Sequence, residues 1–183
     1  MEYVVAITGA SGTAYGIHIL NHLPSRKVLV LSKGAIDVAR YELGRDIGIE
    51  DVKKSADAYY MEDDFTAPVA SGSHRFDACI VAPASMNTVG KIASGISDNL
   101  VTRVASIALK ERRKLIVVFR EMPLSSIHLS NLLTLSQAGA FILPASPGLY
   151  HSPKTLDDLF NFVTSRVLDI LGVDNDLIKR WGE

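Results

Sequence analysis

Five short apolar runs recur along this chain: Tyr3–Thr8, Lys27–Ser32, Asp77–Ala82, Lys114–Phe119 and Ala140–Leu143. Their interiors are continuous Val, Ile, Leu and Ala, without the apolar–polar alternation of a strand that faces water on one side. Such runs suit strands buried on both faces of a parallel sheet. Parallel strands need long crossovers, and stretches of helical period lie between the runs: Ala14–Leu23, Gly34–Leu43, Met86–Ser94, Asp98–Lys110, Ile127–Ala138 and Thr155–Leu171. Pro24 and Gly139 stop two of them. The alternation predicts a single doubly wound, mostly parallel α/β sheet with right-handed crossovers, a Rossmann- or flavodoxin-like three-layer sandwich. The least regular part is Gly44–Arg75, predicted as a mixed connection with one extra strand near Thr66–Ala70.

The 183 residues suit one domain, 1–183, and at this length roughly 70% of the unfolded surface can be buried. Nineteen basic and 20 acidic residues leave a net charge of −1, which argues against a nucleic-acid footprint. The single cysteine, Cys79, excludes a disulfide framework and a thiolate metal cluster, and its apolar surroundings read as core. No apolar run reaches the ~18 residues of a membrane span, and the chain opens on an apolar run with no basic leader or cleavage site. The expected compartment is the cytoplasm, with no membrane partner. An apolar content of 48% is high for this size. Surface buried between subunits would explain it, as would a large core.

Ligands of an open α/β sheet bind beyond the carboxyl ends of its strands. The first run ends in Gly9-Ala-Ser-Gly12, with Gly16 in the following helix. Glycines there let main-chain N–H groups approach an anion at a helix N-terminus, although a plain tight turn accounts for them equally well. The spacing is not G-x-G-x-x-G, which disfavours a nicotinamide-dependent dehydrogenase. Ser32 closes the second run, and Ser85 and Thr88 lie three apart at the start of the helix after the third. Each also fits an ordinary N-cap. Hydroxyls at three strand ends point to a flat, phosphate-bearing ligand across the crevice.

The fourth run ends in Arg120-Glu121, stopped by Pro123. A cation and a carboxylate side by side can grip a phosphate and move a proton. Arg103 and Lys110 lie seven apart on one predicted helix, and Arg166 is in the last one, after a loop whose three prolines present Tyr150. Arginine forks suit phosphate and lysine acts as a point charge, although each also reads as a solvated surface residue.

Taken together, Ile7-Thr-Gly-Ala-Ser-Gly12, Pro83-Ala-Ser-Met-Asn-Thr88, Asp98-Asn-Leu-Val-Thr-Arg103, Leu109-Lys-Glu-Arg-Arg113, Arg120-Glu-Met-Pro123, Pro144 with Tyr150-His151, and Arg166-Val-Leu-Asp169 resemble the UbiX-type flavin prenyltransferases. The match is collinear over nearly the whole chain. The resemblance implies one flavoprotein domain that transfers a dimethylallyl group, without a metal, from dimethylallyl monophosphate or diphosphate to N5 and then C6 of reduced FMN. The product, prenylated FMN, serves UbiD-type decarboxylases. It also implies a homo-oligomer, a dodecamer in the family, with sites between subunits.

By the same resemblance Gly9, Ala10, Ser11, Ser32, Ser85, Met86, Asn87, Thr88 and Arg103 hold FMN. Lys110, Arg120, Tyr150 and Arg166 form the allylic phosphate site. Glu121 protonates the departing phosphate, Ser11 and Glu42 handle protons near N5 and C6, and Trp181 helps close the prenyl pocket. The chain departs from the family pattern at Gly148-Leu149, where an aromatic is common, and in the short Gly44–Arg75 connection, which leaves donor length and phosphate number open. Two rival readings are an FMN-dependent cysteine decarboxylase of the same fold, for which His74 and Cys79 would have to serve, and a non-enzymatic flavin-binding protein.

Overall fold

All five predicted runs become strands in a computed structural model that describes residues 1–43 and 49–182. In chain order the elements are β1 (Glu2–Ile7), α1 (Thr13–His22), β2 (Arg26–Leu31), α2 (Lys33–Glu42), α3 (Ile49–Lys54), β3 (Ala58–Met61), a 3₁₀ turn (Pro68–Ala70), β4 (Ala78–Ala84), α4 (Met86–Ala93), α5 (Leu100–Lys110), β5 (Lys114–Phe119), α6 (Ser126–Gln137), β6 (Phe141–Pro144) and α7 (Leu156–Leu171). The six strands form one sheet in the order β3-β2-β1-β4-β5-β6, and every pairing is parallel.

The continuous apolar runs have a simple origin. Successive strand residues point to opposite faces, and both faces are covered. Tyr3, Val5, Ile7, Leu29, Leu31, Ile80, Ile116 and Val118 pack on one side with α1, α3 and α7. Val4, Ala6, Val28, Val30, Cys79, Val81, Leu115 and Val117 pack on the other with α4, α5 and α6. Cys79 is a core residue, and burial pushes its thiol up to about 12.

The extra strand lies elsewhere than predicted. It is the edge strand β3, at Ala58–Met61, paired to β2 through Tyr59 and Tyr60. Over Thr66–Ala70 there is instead the 3₁₀ turn, because Pro68 has no N–H for a ladder and takes a turn's first position readily. The helix α3 also falls inside the predicted mixed connection, whose residues 44–48 lie outside the described residues. Most other boundaries move by one or two residues, at caps. Asn99 and Thr102 form a capping box that starts α5 at Leu100, and Thr155 with Asp158 does the same for α7.

The chain steps outward from β1 through β2 to β3, then returns to lay β4 on the other side of β1. The order therefore reverses between β1 and β4, and helices depart to opposite faces there. Thr8 stitches the two strand ends together. Its Oγ1 donates to Pro83 O at 2.8 Å, and Ser85 N donates to that Oγ1 at 2.9 Å. Two glycines make the junction possible. Gly12 starts α1 at φ 102, and Gly16 lets the helix close on β4, since an added Cβ would lie 2.1 Å from Ala82 O. That neighbour is backbone and cannot yield. Gly16→Ala is therefore expected to cost about 3 kcal/mol, a fall in Tm of roughly 6–12 °C, in thermal unfolding. An unchanged Tm would contradict the close approach.

Candidate active site

Beyond β1, β2 and β4 lies a cleft of ≈ 350 Å³ lined by Thr8, Gly9, Ser32, Gly34, Glu62, Ser85, Asn87, Thr88, Lys91 and Asn99. Five of the residues predicted to hold FMN (Gly9, Ser32, Ser85, Asn87 and Thr88) are among them. Ser32 caps α2 by accepting from Ala35 N at 3.0 Å, and Ser85 caps α4 by accepting from Thr88 N at 3.2 Å. Capping uses the hydroxyl as an acceptor, so Ser32 can still donate to an anion, while the Ser85 and Thr88 hydroxyls, which share a hydrogen bond at 3.0 Å, keep one free proton between them. Capping and ligand binding are compatible here. Gly9 and Gly34 face each other so closely that a Cβ on Gly9 would lie 3.1 Å from Gly34, and main chain alone forms that wall. Ala10 and Met86 are buried, Met86 in the core, so a ligand would meet their backbone at the starts of α1 and α4.

Five lining residues were not predicted: Thr8, Gly34, Glu62, Lys91 and Asn99. Glu62 accepts from Lys33 N at 2.7 Å and from Asn99 Nδ2 at 2.9 Å, so its charge is committed to the start of α2 and to α5's cap. Lys91 brings a cation to the cleft and pairs with Asp98 at 2.7 Å. A motif-based reading has no handle on Glu62, which follows an edge strand that the sequence had not located. The donor set, hydroxyls at two helix starts with a lysine and glycine backbone, fits a phosphomonoester.

Ser11, Glu42 and Arg120 converge beside this cleft. Glu42 comes from the end of α2, yet it accepts from Gly12 N at 2.8 Å and Thr13 N at 2.9 Å, the first N–H groups of α1. Burial alone would raise its pKa. Hydrogen bonds from the Ser11 side chain and from Gly12 and Thr13 outweigh this and hold the carboxyl below its ordinary range. Arg120 Nε donates to Ser11 O at 3.3 Å, which sets the end of β5 against the same loop. Glu121 is half-buried beside it and accepts from Met122 N at 3.0 Å.

The remaining cations are not gathered here. Arg103 Nε donates to Ala70 O at 3.0 Å; it braces the 3₁₀ turn and is not among the residues lining the cleft. Lys110 ends α5 near the amino ends of the strands, away from the cleft at their carboxyl ends, paired with Glu111 and set against Gly72. Arg166 lines a separate pocket of ≈ 230 Å³ with Pro144, Ser146 and Phe162. Tyr150 lines another of ≈ 380 Å³ with His151, Lys179, Arg180 and Trp181. His74 stands 2.6 Å from Glu2 at the amino end of β1, and Cys79 is in the core, so neither serves a cysteine decarboxylase. Among the described residues no cluster of three or more His, Cys, Asp or Glu is placed to hold a metal ion, and no helix is long and apolar enough to cross a membrane.

The lowered Glu42 pKa has a consequence with a definite sign. A carboxyl depressed by folding stabilises above its ordinary value of 4.5, and the contribution is lost as pH falls through the folded pKa. Glu42→Gln is expected to lower stability near neutral pH, with the deficit fading below about pH 4.5 in denaturant unfolding. A deficit independent of pH would contradict the assignment.

Residues 1–168 match the flavoprotein family. The chain is 52% identical to the flavin prenyltransferase UbiX of Methanocaldococcus jannaschii, over 100% of this chain and 99% of that protein. It superposes with a TM-score of 0.95 and 41% identity on AnUbiX (PadA1) in complex with FMN and dimethylallyl pyrophosphate, covering 100% of this chain and 97% of that one. A dodecameric FMN-dependent UbiX-like decarboxylase from Escherichia coli gives a TM-score of 0.95 at 40% identity, with 100% of both chains covered. The chain belongs to the flavoprotein family and, within it, to the UbiX-type flavin prenyltransferases.

Proposed function

We propose that this protein transfers a dimethylallyl group from dimethylallyl phosphate to reduced FMN in the cytoplasm, and that its product goes to a UbiD-type decarboxylase. The observation that carries the reading is the convergence of Ser11, Glu42 and Arg120 beside a hydroxyl-lined cleft at the reversal of the sheet. Reduced FMN supplies the nucleophilic N5 and C6. Ser32 and the Ser85–Thr88 hydroxyl pair donate to its phosphate from the starts of α2 and α4, while the backbone of Gly9, Ala10, Met86 and Asn87 orients it. Ser11 and Glu42 move protons at N5 and C6.

The allylic C–O bond breaks with its electron pair leaving on the phosphate. Catalysis therefore needs positive charge at that phosphate and a proton for the departing oxygen. Arg120, Lys110 and Arg166 supply the charge, and Glu121 the proton. Tyr150 and Trp181 present aromatic faces that tolerate cationic character in the allyl group and exclude water.

Lys110 and Arg120 lie at opposite ends of β5 in one chain, so the complete phosphate site requires neighbouring copies. We read residues 1–183 as one flavoprotein domain that assembles into a dodecamer with sites between subunits. The exposed apolar residues support assembly. Ile127 and Leu133 on α6 are 70% and 58% exposed, and Met122, Leu149 and Leu156 are also uncovered.

Mass spectrometry of flavin extracted after anaerobic incubation with dimethylallyl phosphate should show FMN heavier by one five-carbon prenyl unit. Unmodified FMN with both the monophosphate and the diphosphate would sink the reading. Glu121→Gln should keep FMN binding and lose at least about 100-fold in turnover. Full turnover in that variant would instead support a binding protein or another acid.

A further inference from the structure

At the C-terminal end of α7 one carboxylate organises three other groups. Asp169 Oδ2 accepts from Arg166 Nη1 at 2.7 Å, one helical turn back. The same carboxylate takes both ends of the Arg180 guanidinium, at 2.9 Å through Oδ1 and 3.2 Å through Oδ2. Asn175 Nδ2 adds a contact to Oδ1 at 3.2 Å. Hydrogen bonding from Arg180, ahead of that from Asn175, holds the Asp169 carboxyl below its ordinary range.

Arg180 is followed by Trp181, the only tryptophan in the chain. Its ring meets Tyr150 edge-on, with centroids 5.2 Å apart. Tyr150 packs in turn on Phe162, with centroids 5.6 Å apart, and Phe162 lines the Arg166 pocket. Two routes thus run from Asp169, to two pockets that the Tyr150–Phe162 contact joins. One is direct, through the Arg166 guanidinium. The other runs through Arg180, Trp181 and Tyr150.

We propose that Asp169 is a positioning residue that clasps the C-terminal segment to α7, so that a single carboxylate sets both Arg166 and the Trp181–Tyr150 pair. The proposal rests on the reading that Arg166 and Tyr150 belong to the allylic phosphate site. Asp169 itself touches no substrate. Its side chain keeps 21% of its accessible surface, and a single exposed ion pair contributes little to global stability. What the carboxylate adds is geometry. The Arg180 grip is two-pronged and restrains a tail that, among the described residues 172–182, has no regular secondary structure.

The test uses the FMN-loaded protein with Asp169→Asn, Asp169→Glu and Arg180→Gln. Asp169→Asn should raise KM for dimethylallyl phosphate about three- to tenfold and lower kcat by a smaller factor, because Arg166 also meets the departing phosphate, with FMN affinity nearly unchanged. It should also speed tryptic cleavage after Lys179 and Arg180, followed by intact-mass measurement. Arg180→Gln should reproduce the faster cleavage after Lys179 while leaving Asp169 on its helix, and Asp169→Glu should recover part of the KM. An unchanged KM in Asp169→Asn overturns the proposal. So does a raised KM without faster cleavage, which would show that the two routes are not coupled. If the wild type transfers no prenyl group from either donor, the functional reading falls, and the cleavage rates alone decide whether the clasp exists.

Discussion

The seam between β1 and β4 is the constraint on which the rest of the molecule depends. A parallel sheet covered on both faces has no lateral opening for a ligand. The one place where neighbouring connections diverge is where the strand order turns back. Thr8 holds that divergence at a fixed width by bonding Pro83 O and Ser85 N beyond the last ladder bonds. Gly16 then brings α1 against Ala82. These contacts set where α1 and α4 begin, and hence where their unpaired N–H groups point.

The helix starts around the cleft are served in two ways. At α2 and α4 a serine caps from within the chain, and each start keeps a hydroxyl proton to donate. At α1 the N-cap is Gly12, which has no side chain, and the carboxylate of Glu42 accepts from the first N–H groups instead. An anion at a helix start is stabilised by the dipole as well as by hydrogen bonds. Glu42 is thus held charged, in contact with Ser11, at the edge of the place where a flavin would lie. In the proton relay proposed for Ser11 and Glu42, the resting charge would be set by the fold.

How much of this was legible from the chain depends on the range of the interaction. Continuous apolar runs reported two-sided burial, because alternate residues of β1, β2, β4 and β5 go to opposite faces and both faces are dry. The hydroxyls at Ser32, Ser85 and Thr88 were legible because capping is local. The strand β3 was not, since a short edge strand carries a weaker apolar signal and Pro68 lay near a more plausible-looking run. Lys91 and Glu62 were missed for a related reason. Lys91 is one helical turn beyond Thr88, where a lone lysine reads as a solvated helix residue, and nothing near Glu62 in the chain marks a site.

The amino-acid sequence by itself determined the α/β alternation, the hydroxyl-bearing strand ends and the Arg120-Glu121 pair at the end of β5, since each follows from neighbours within a few residues. Tertiary structure decided the partnerships. Glu42 reaches the start of α1 across 29 or more residues of chain, and Arg120 reaches Ser11 across 109. It also separated residues that motif reading had grouped, setting Arg103 on Ala70 and Lys110 near the amino ends of the strands. The physical reason is that residues seven apart on a helix share a face but lie ~10 Å apart along its axis, so a shared face does not make a shared site.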